Sequence, residues 1–227
     1  MKERSMDNRE QEKSSSSPNV KITSIDYQGT DGGVLRVHLS DGSLFFIPSG
    51  TSAADKAEVN KVVDKLFAEE LEAAQIYYFC RKKALELIFR AEQYRAGLSA
   101  KLLKKGFKSK EITETLNYLE NAGYLNDLRF SEMWARTRAE RKLEGPVKII
   151  SGLTARGIDS ATAKNAVKNV FSEMNDENAA ENLLKAYNKY AGRYKNNDKL
   201  AAALVRKGYT LSAVYRIIKN SGEDIEY

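Results

Sequence analysis

One six-residue pattern occurs three times in this chain at a constant interval, and it constrains the fold more than any other feature. The segments are Leu102-Leu103-Lys104-Lys105-Gly106-Phe107, Leu153-Thr154-Ala155-Arg156-Gly157-Ile158 and Leu204-Val205-Arg206-Lys207-Gly208-Tyr209. Their glycines stand 51 residues apart each time. The register extends further. Four residues before the glycine stand Leu102, Leu153 and Leu204, and one before it the bases Lys105, Arg156 and Lys207. One after it come Phe107, Ile158 and Tyr209; six after it Ile112, Ala163 and Val214; ten after it Leu116, Val167 and Ile218. A fixed interval of this size marks stacked supersecondary units.

The physics of the sextet is that of a helix end. Glycine suits the position just past a helix, where the backbone turns left-handed and a Cβ is penalised. The base before it lies in the last turn, where the helix dipole favours a cation. Ser109, Asp159 and Thr210 are placed to cap the next helix. Gly145-Pro146 is placed to open the middle helix of the second unit, because proline is favoured at the first helical position. Each unit is therefore predicted to hold three helices. They fall near 80–93, 98–105 and 110–121, near 127–142, 147–156 and 160–170, and near 177–190, 197–207 and 211–219. The middle helices are too short to persist alone in water, so packing must hold them. A tandem row of such units is expected to be elongated, each touching mainly its neighbours.

The N-terminal third reads differently. Residues 1–19 are polar and carry four consecutive serines, Ser14 to Ser17, so a disordered arm is expected. From residue 20 the pattern has period two: Leu35, Val37 and Leu39 alternate with Val34, Arg36 and His38. Asp31-Gly32-Gly33 marks one turn and Asp41-Gly42 another, which predicts a three-stranded antiparallel meander ending at Pro48. A sheet with one apolar face needs a cover, and a helix near 54–67 is expected to supply it. The expected fold is mainly α: tandem three-helix repeats in an elongated array, preceded by a small antiparallel β-meander plus helix. The expected domains are the arm at 1–19, an α+β module at 20–78, and repeats at 79–124, 125–173 and 174–227.

Charge separates the same two parts. The chain has 37 Lys and Arg against 31 Asp and Glu, a net +6; residues 1–78 hold 9 bases and 13 acids, residues 79–227 hold 28 and 18. A basic helical array is set up for an anionic partner: nucleic acid, an acidic protein face, or both. The candidate contacts in the first repeat are Arg90, Lys101, Lys104 and Lys105. In the second they are Arg136, Arg138, Arg141, Lys148 and Arg156, and in the third Lys199, Arg206 and Lys207. Charge placed at one local position of a repeat builds a ladder, which suits a polymer of repeating negative charge or a protein filament with a regular acidic groove. Bases at helix ends also serve the dipole alone. Tyr94, Phe107, Tyr124, Phe130, Trp134, Tyr187 and Tyr190 sit at spacings consistent with core packing, so a stacking role for any of them depends on exposure.

Other chemistries fall away. One Cys (Cys80) and one His (His38) cannot build an intrachain disulfide, a zinc finger or a Cys–His pair of any reach, and His38 is expected on a strand face. Gly29, Gly32 and Gly33 lack the lysine–serine of a phosphate loop, and no HExxH occurs. Glu69 and Glu70 are adjacent and point apart on a helix. No catalytic group, cofactor or metal is expected. No apolar run reaches the roughly 18 residues that span a bilayer and no secretory segment is present, so no membrane contact and a cytoplasmic location are expected.

Three segments taken together resemble the RecX family, bacterial proteins that modulate the RecA recombinase. They are the sextet at 102–107; Gly123-Tyr124-Leu125-Asn126-Asp127-Leu128-Arg129-Phe130; and Gly145-Pro146-Val147-Lys148-Ile149, followed by Leu153 and Arg156-Gly157-Ile158. The resemblance covers about residues 80–220, and the strand-rich part resembles the variable leader of some members. Asn126 replaces an Asp, Tyr94 a small hydroxyl residue and Gly152 an acidic residue; the third unit has Asn196-Asn197 where Gly-Pro is absent. The resemblance implies a non-enzymatic regulator that binds the RecA–single-stranded DNA filament in its groove. It implies inhibition of ATP hydrolysis, strand exchange and co-protease activity. Some members also bind DNA themselves, so single-stranded and also double-stranded DNA are expected partners, and a monomer is expected. Two alternatives stand beside it: a helical-repeat DNA-binding protein acting without a recombinase partner, and a protein scaffold indifferent to nucleic acid.

Overall fold

The computed structural model describes residues 19–29, 33–173, 176–194 and 196–223. The expected arm, apart from its last residue, and the turn residues Asp31 and Gly32 lie outside them. The chain divides after Phe79 into two compact units.

The first unit holds an antiparallel sheet of β1 (Ile22–Gln28), β2 (Val34–Leu39) and β3 (Leu44–Pro48), in that order. Strand alternation sorts the faces. Ile22, Leu35, Val37, Leu39 and Ile47 are buried together. Asp26 pairs across the strands with Arg36 on the other face, and His38 Nε2 lies 3.3 Å from the Asp26 carboxylate. The second hairpin turns at Gly42, φ 88°, where the Asp41 carboxylate accepts from the Ser43 N–H at 2.9 Å.

The helix expected at 54–67 is not formed as such. A single turn, α1 (Ser52–Asp55), is capped by the Thr51 hydroxyl, and the chain then leaves the helix. Asn60 takes φ 71°, and residues 60–63 run beside β1. Ile22 N–H donates to Lys61 O at 3.0 Å, Asn60 N–H to Ile22 O at 2.8 Å and Val63 N–H to Val20 O at 2.8 Å. The β-branched Val62 and Val63 favour this extended pairing, which covers the open edge of β1. The sheet's cover comes instead from α2 (Lys65–Arg90), through Phe67, Leu71 and Ala74. The same helix closes the other edge: Phe46 N–H donates to the Gln75 side chain at 3.1 Å, and the Phe46 ring stacks on Tyr78 at 5.5 Å. Thus the helix expected to begin near residue 80 is the C-terminal part of α2.

The second unit contains α3 (Arg95–Leu103), α4 (Ser109–Asn121), α5 (Asp127–Lys142), α6 (Pro146–Thr154), α7 (Ser160–Glu173), α8 (Asp176–Ala191), α9 (Asn197–Arg206) and α10 (Leu211–Glu223). The three sextet glycines have φ of 90°, 88° and 94°. At each one the following N–H donates back to the register leucine's carbonyl: Phe107 to Leu102 and Ile158 to Leu153 at 3.3 Å, Tyr209 to Leu204 at 3.4 Å. The glycine's own N–H donates to Leu103, Thr154 or Val205 at 2.8–2.9 Å. This pair of bonds is the Schellman closure, and it satisfies helix-end carbonyls. Leu102, Leu153 and Leu204 are fully buried, each at the centre of its own apolar cluster.

Two of the three expected caps form. Asp159 accepts from the N–H groups of Ala161 and Thr162 at 2.9 and 3.0 Å, and Thr210 from Ala213 at 3.4 Å. Ser109 does not cap. The cap position of α4 is Lys108, which has no side-chain acceptor, and Ser109 already lies inside the helix. Asn126 caps α5 through the Arg129 N–H at 2.9 Å.

The middle helices differ in where their N-termini find acceptors. Tyr94 and Gly145, at the cap positions of α3 and α6, make no side-chain cap bond. Arg95 N–H donates instead to the Asp127 carboxylate at 2.7 Å, at the start of the second repeat. Gly145 N–H donates to Lys207 O at 2.8 Å and Val147 N–H to Gly208 O at 3.1 Å, on the third repeat. This is backbone against backbone: a Cβ on Gly145 would lie 2.4 Å from the Gly208 carbonyl carbon. Only α9 is capped from within, by Asn196, which accepts from Asp198 and Lys199.

Candidate functional site

The candidate bases fall into three groups in the structure. Five converge around α5, α6 and α9. Glu144, only 5% exposed, anchors two of them. It accepts from both Arg138 Nε and Nη2, at 2.6 and 3.2 Å, and pairs with Lys148 Nζ at 3.1 Å. Two cations thus share one carboxylate, so the cluster keeps a positive charge. The Arg138 guanidinium also lies 5.1 Å from the Trp134 ring centroid, and that of Arg156 lies 4.5 Å from it. Arg156 donates to Gly152 O at 2.7 Å. Trp134 rests on Gly152, where a Cβ would come within 2.6 Å of the ring, which is why no larger residue stands there.

Lys148 meets Arg206 and Lys207 across the joint between the second and third repeats. With Tyr190, Tyr194 and Ala203 they line a cleft of about 230 Å³. Lys207 donates to Lys142 O at 3.2 Å, with its ammonium 5.8 Å from the Tyr190 centroid. Below this joint Tyr209 is buried, and its hydroxyl donates toward Leu143 O and Asn182 O at 3.3 and 3.2 Å. Burial, with the Glu144 charge adding to it, pushes the Tyr209 phenol up to about 12.

A second group is tied to local structure. Lys101 donates to the buried Gln93 side chain at 2.6 Å, and Gln93 in turn donates to Leu87 O and Ala91 O at the end of α2. Arg136 pairs with Glu173 on α7 at 2.5 Å. The third group, Arg90, Lys104, Lys105, Arg141 and Lys199, is exposed. Lys104, Lys105, Arg141 and Lys199 make no ion pair among the described residues. The register bases are therefore not equivalent: Lys105 is free in solvent, Arg156 is stacked on Trp134 and Lys207 is half-buried at a joint.

Sequence reasoning did not single out Glu144, Gln93 or Tyr194. Glu144 and Lys148 are four residues apart, a readable ion-pair spacing, but the helix break at Gly145-Pro146 obscures it. The expected aromatic packing is mostly present: Phe130 is buried, with Tyr94 packed on it at 4.6 Å, whereas Tyr124 is largely exposed. Among the described residues no group of three His, Cys, Asp or Glu is placed to hold a metal, and no helix is long and apolar enough to cross a membrane.

Residues 126–167 match the family model described as RecX, second three-helix domain. The chain is similar to regulatory protein RecX of Clostridium perfringens, with 24% identity over 203 residues covering 88% of this chain and 95% of that protein. It is 29% identical to regulatory protein RecX of Treponema pallidum over 135 residues, 60% of this chain and 80% of that one. A crystal structure of regulatory protein RecX superposes with a TM-score of 0.73 at 20% identity, covering 88% of this chain and 99% of the other. That of RecX from Lactobacillus salivarius gives 0.57 at 24% identity, covering 65% and 97%.

Proposed function

We propose that this chain, which belongs to the RecX family, regulates the RecA recombinase by binding the RecA–single-stranded DNA filament along its groove and restraining ATP hydrolysis, strand exchange and co-protease activity. The observation that carries this reading is the extent of the likeness: the alignment spans 88% of this chain and 95% of a regulatory protein RecX. The body assigned to the filament is basic, with 28 bases against 18 acids in residues 79–227, and the DNA within the filament carries regularly spaced negative charge. Electrostatic contact of that kind is salt-dependent. The exposed Lys104 and Lys105, with Lys101, Arg90, Arg141 and Lys199, are the proposed contacts that structure leaves available or nearly so. Arg136, Arg138 and Arg156 are proposed to act with them as field rather than as direct contacts, since each already has a partner in the fold.

The test is ATP hydrolysis by RecA on single-stranded DNA during titration with this protein, beside a naked-DNA binding control at the same salt. Inhibition well below one molecule per recombinase, where naked DNA is barely occupied, is the expected result. Loss of hydrolysis only once the DNA is coated would replace the reading with direct DNA binding. Reversing charge at Lys104 and Lys105 is expected to weaken filament binding and lower its salt slope.

A further inference from the structure

We propose that the cleft at the joint of the second and third repeats is a single-stranded nucleic-acid site, taking one phosphate on Lys148, Arg206 and Lys207 and one unstacked base on Tyr190 and Tyr194. The assignment deepens the reading above, because it names the nucleic-acid form and the residues that meet it.

Every charged side chain lining the cleft is a cation. Arg206 makes no ion pair or hydrogen bond among the described residues. Lys207 uses one N–H on Lys142 O and keeps two. Lys148 shares Glu144 with Arg138, which leaves it only partly neutralised. Three cations directed at one small volume, with no carboxylate in its wall, are set for a phosphate-type anion. The tyrosines decide between anions. The Tyr190 and Tyr194 rings lie 6.5 Å apart, inclined by 34°, and both border the cleft. The carboxylates of an acidic peptide gain nothing from ring faces, whereas a base has a π-face of its own and stacks on aromatic side chains.

The nucleic-acid form follows from size and stacking. A volume of about 230 Å³ admits a sugar-phosphate and part of a base. A double helix keeps its bases stacked on one another and cannot present one to a tyrosine. The repeat itself does not require this arrangement. Residues 143–145 join α5 to α6, but 192–196 join α8 to α9, and Tyr194 lies in this longer connection.

The experiment is fluorescence anisotropy of a labelled oligothymidylate with the full chain, at several salt concentrations, beside a duplex of equal length and a polyglutamate competitor. Arg206→Glu is expected to weaken oligothymidylate binding at least tenfold and to reduce the salt slope by about one to two contacts. Tyr194→Leu is expected to weaken it about tenfold with the slope unchanged, and Tyr194→Phe to retain it. An oligonucleotide carrying 5-iododeoxyuridine should photocrosslink to Tyr190 or Tyr194. Far-UV circular dichroism and Trp134 emission verify that each variant is folded. Wild-type binding by Arg206→Glu, no effect of Tyr194→Leu, or equal affinity for duplex would overturn the proposal; so would displacement by polyglutamate at matched charge, which would assign an acidic protein instead. The two readings fail separately. Inhibition of the recombinase by variants that bind oligothymidylate normally removes the cleft alone. Oligothymidylate binding through these residues without any effect on the recombinase removes the regulatory reading alone.

Discussion

Replacing the three sextet glycines by alanine, one at a time, should give three different losses of stability from one chemical change. Gly106, Gly157 and Gly208 share φ within a few degrees of 90°, so each alanine suffers the same left-handed penalty of about 1–2 kcal/mol. Their surroundings then separate them. A Cβ at Gly106 meets nothing within 4 Å, so the penalty stands alone. At Gly157 it would meet the Ala96 methyl at 3.0 Å, a contact that a shift of a few tenths of an ångström relieves. At Gly208 it would lie 2.4 Å from Lys148 Cβ and 2.5 Å from Lys148 N. Backbone cannot rotate away, so the start of α6 must withdraw from the end of α9. That costs about 1–3 kcal/mol of overpacking. It also strains the bonds from Gly145 to Lys207 and from Val147 to Gly208, each worth about 0.5–1.5 kcal/mol. The expected losses are about 1–2 kcal/mol for Gly106→Ala, slightly more for Gly157→Ala and about 3–5 kcal/mol for Gly208→Ala. Urea unfolding followed by circular dichroism and by the single tryptophan, Trp134, measures them, with the midpoint and slope giving each free energy. Equal losses at all three positions, within about 0.5 kcal/mol, would refute the reasoning, because they would mean that the joint contributes nothing beyond the turn.

Further outcomes follow from other contacts. Glu144→Gln leaves Arg138 and Lys148 without their shared charge and should destabilise the chain by about 1.5–3 kcal/mol in thermal or urea unfolding. Asp127→Ala removes the acceptor for the Arg95 N–H and should cost about 1 kcal/mol, as a lost helix cap does; native-state hydrogen exchange should show the first turn of α3 loosening. Tyr209 ionises at about 12 in the folded chain, against an ordinary value near 10 when unfolded. The folded state thus favours the neutral phenol, its contribution is whole below pH 10, and it is lost as pH rises from about 10 to 12. Stability should fall across that window, and fall less in Tyr209→Phe; the same dependence in both proteins would contradict the assignment.

The helix ends were legible because a left-handed residue has few alternatives to glycine, so three glycines in register announced three closures. The strands were legible for a similar local reason, alternation around Asp41-Gly42. The stretch 56–64 was not, since Val59, Val62 and Val63 fit a helical spacing equally well. The pairing of residues 60–63 with residues 20–22 is decided by an open sheet edge some forty residues away. Ser109 misled because a hydroxyl near a helix start suggests a cap, while the first repeat begins that helix one residue earlier. The charges show the deeper limit. Lys101, Lys105, Arg138 and Lys148 look alike in sequence, and nothing local shows that Lys101 is held by Gln93 or that Lys148 faces Arg206 across a joint.

The caps of the middle helices have a consequence for how far a local lesion reaches. In polymer terms, α3 and α6 are propagating ends: each leaves its first N–H groups for acceptors on the following unit, Asp127 in one case and the Lys207 and Gly208 carbonyls in the other. Asn196 works differently. Its side chain accepts from the first N–H groups of α9, so this helix start is satisfied within its own unit. A lesion at Asp127 or Gly208 therefore reaches two repeats at once, whereas one at Asn196 stays within the third.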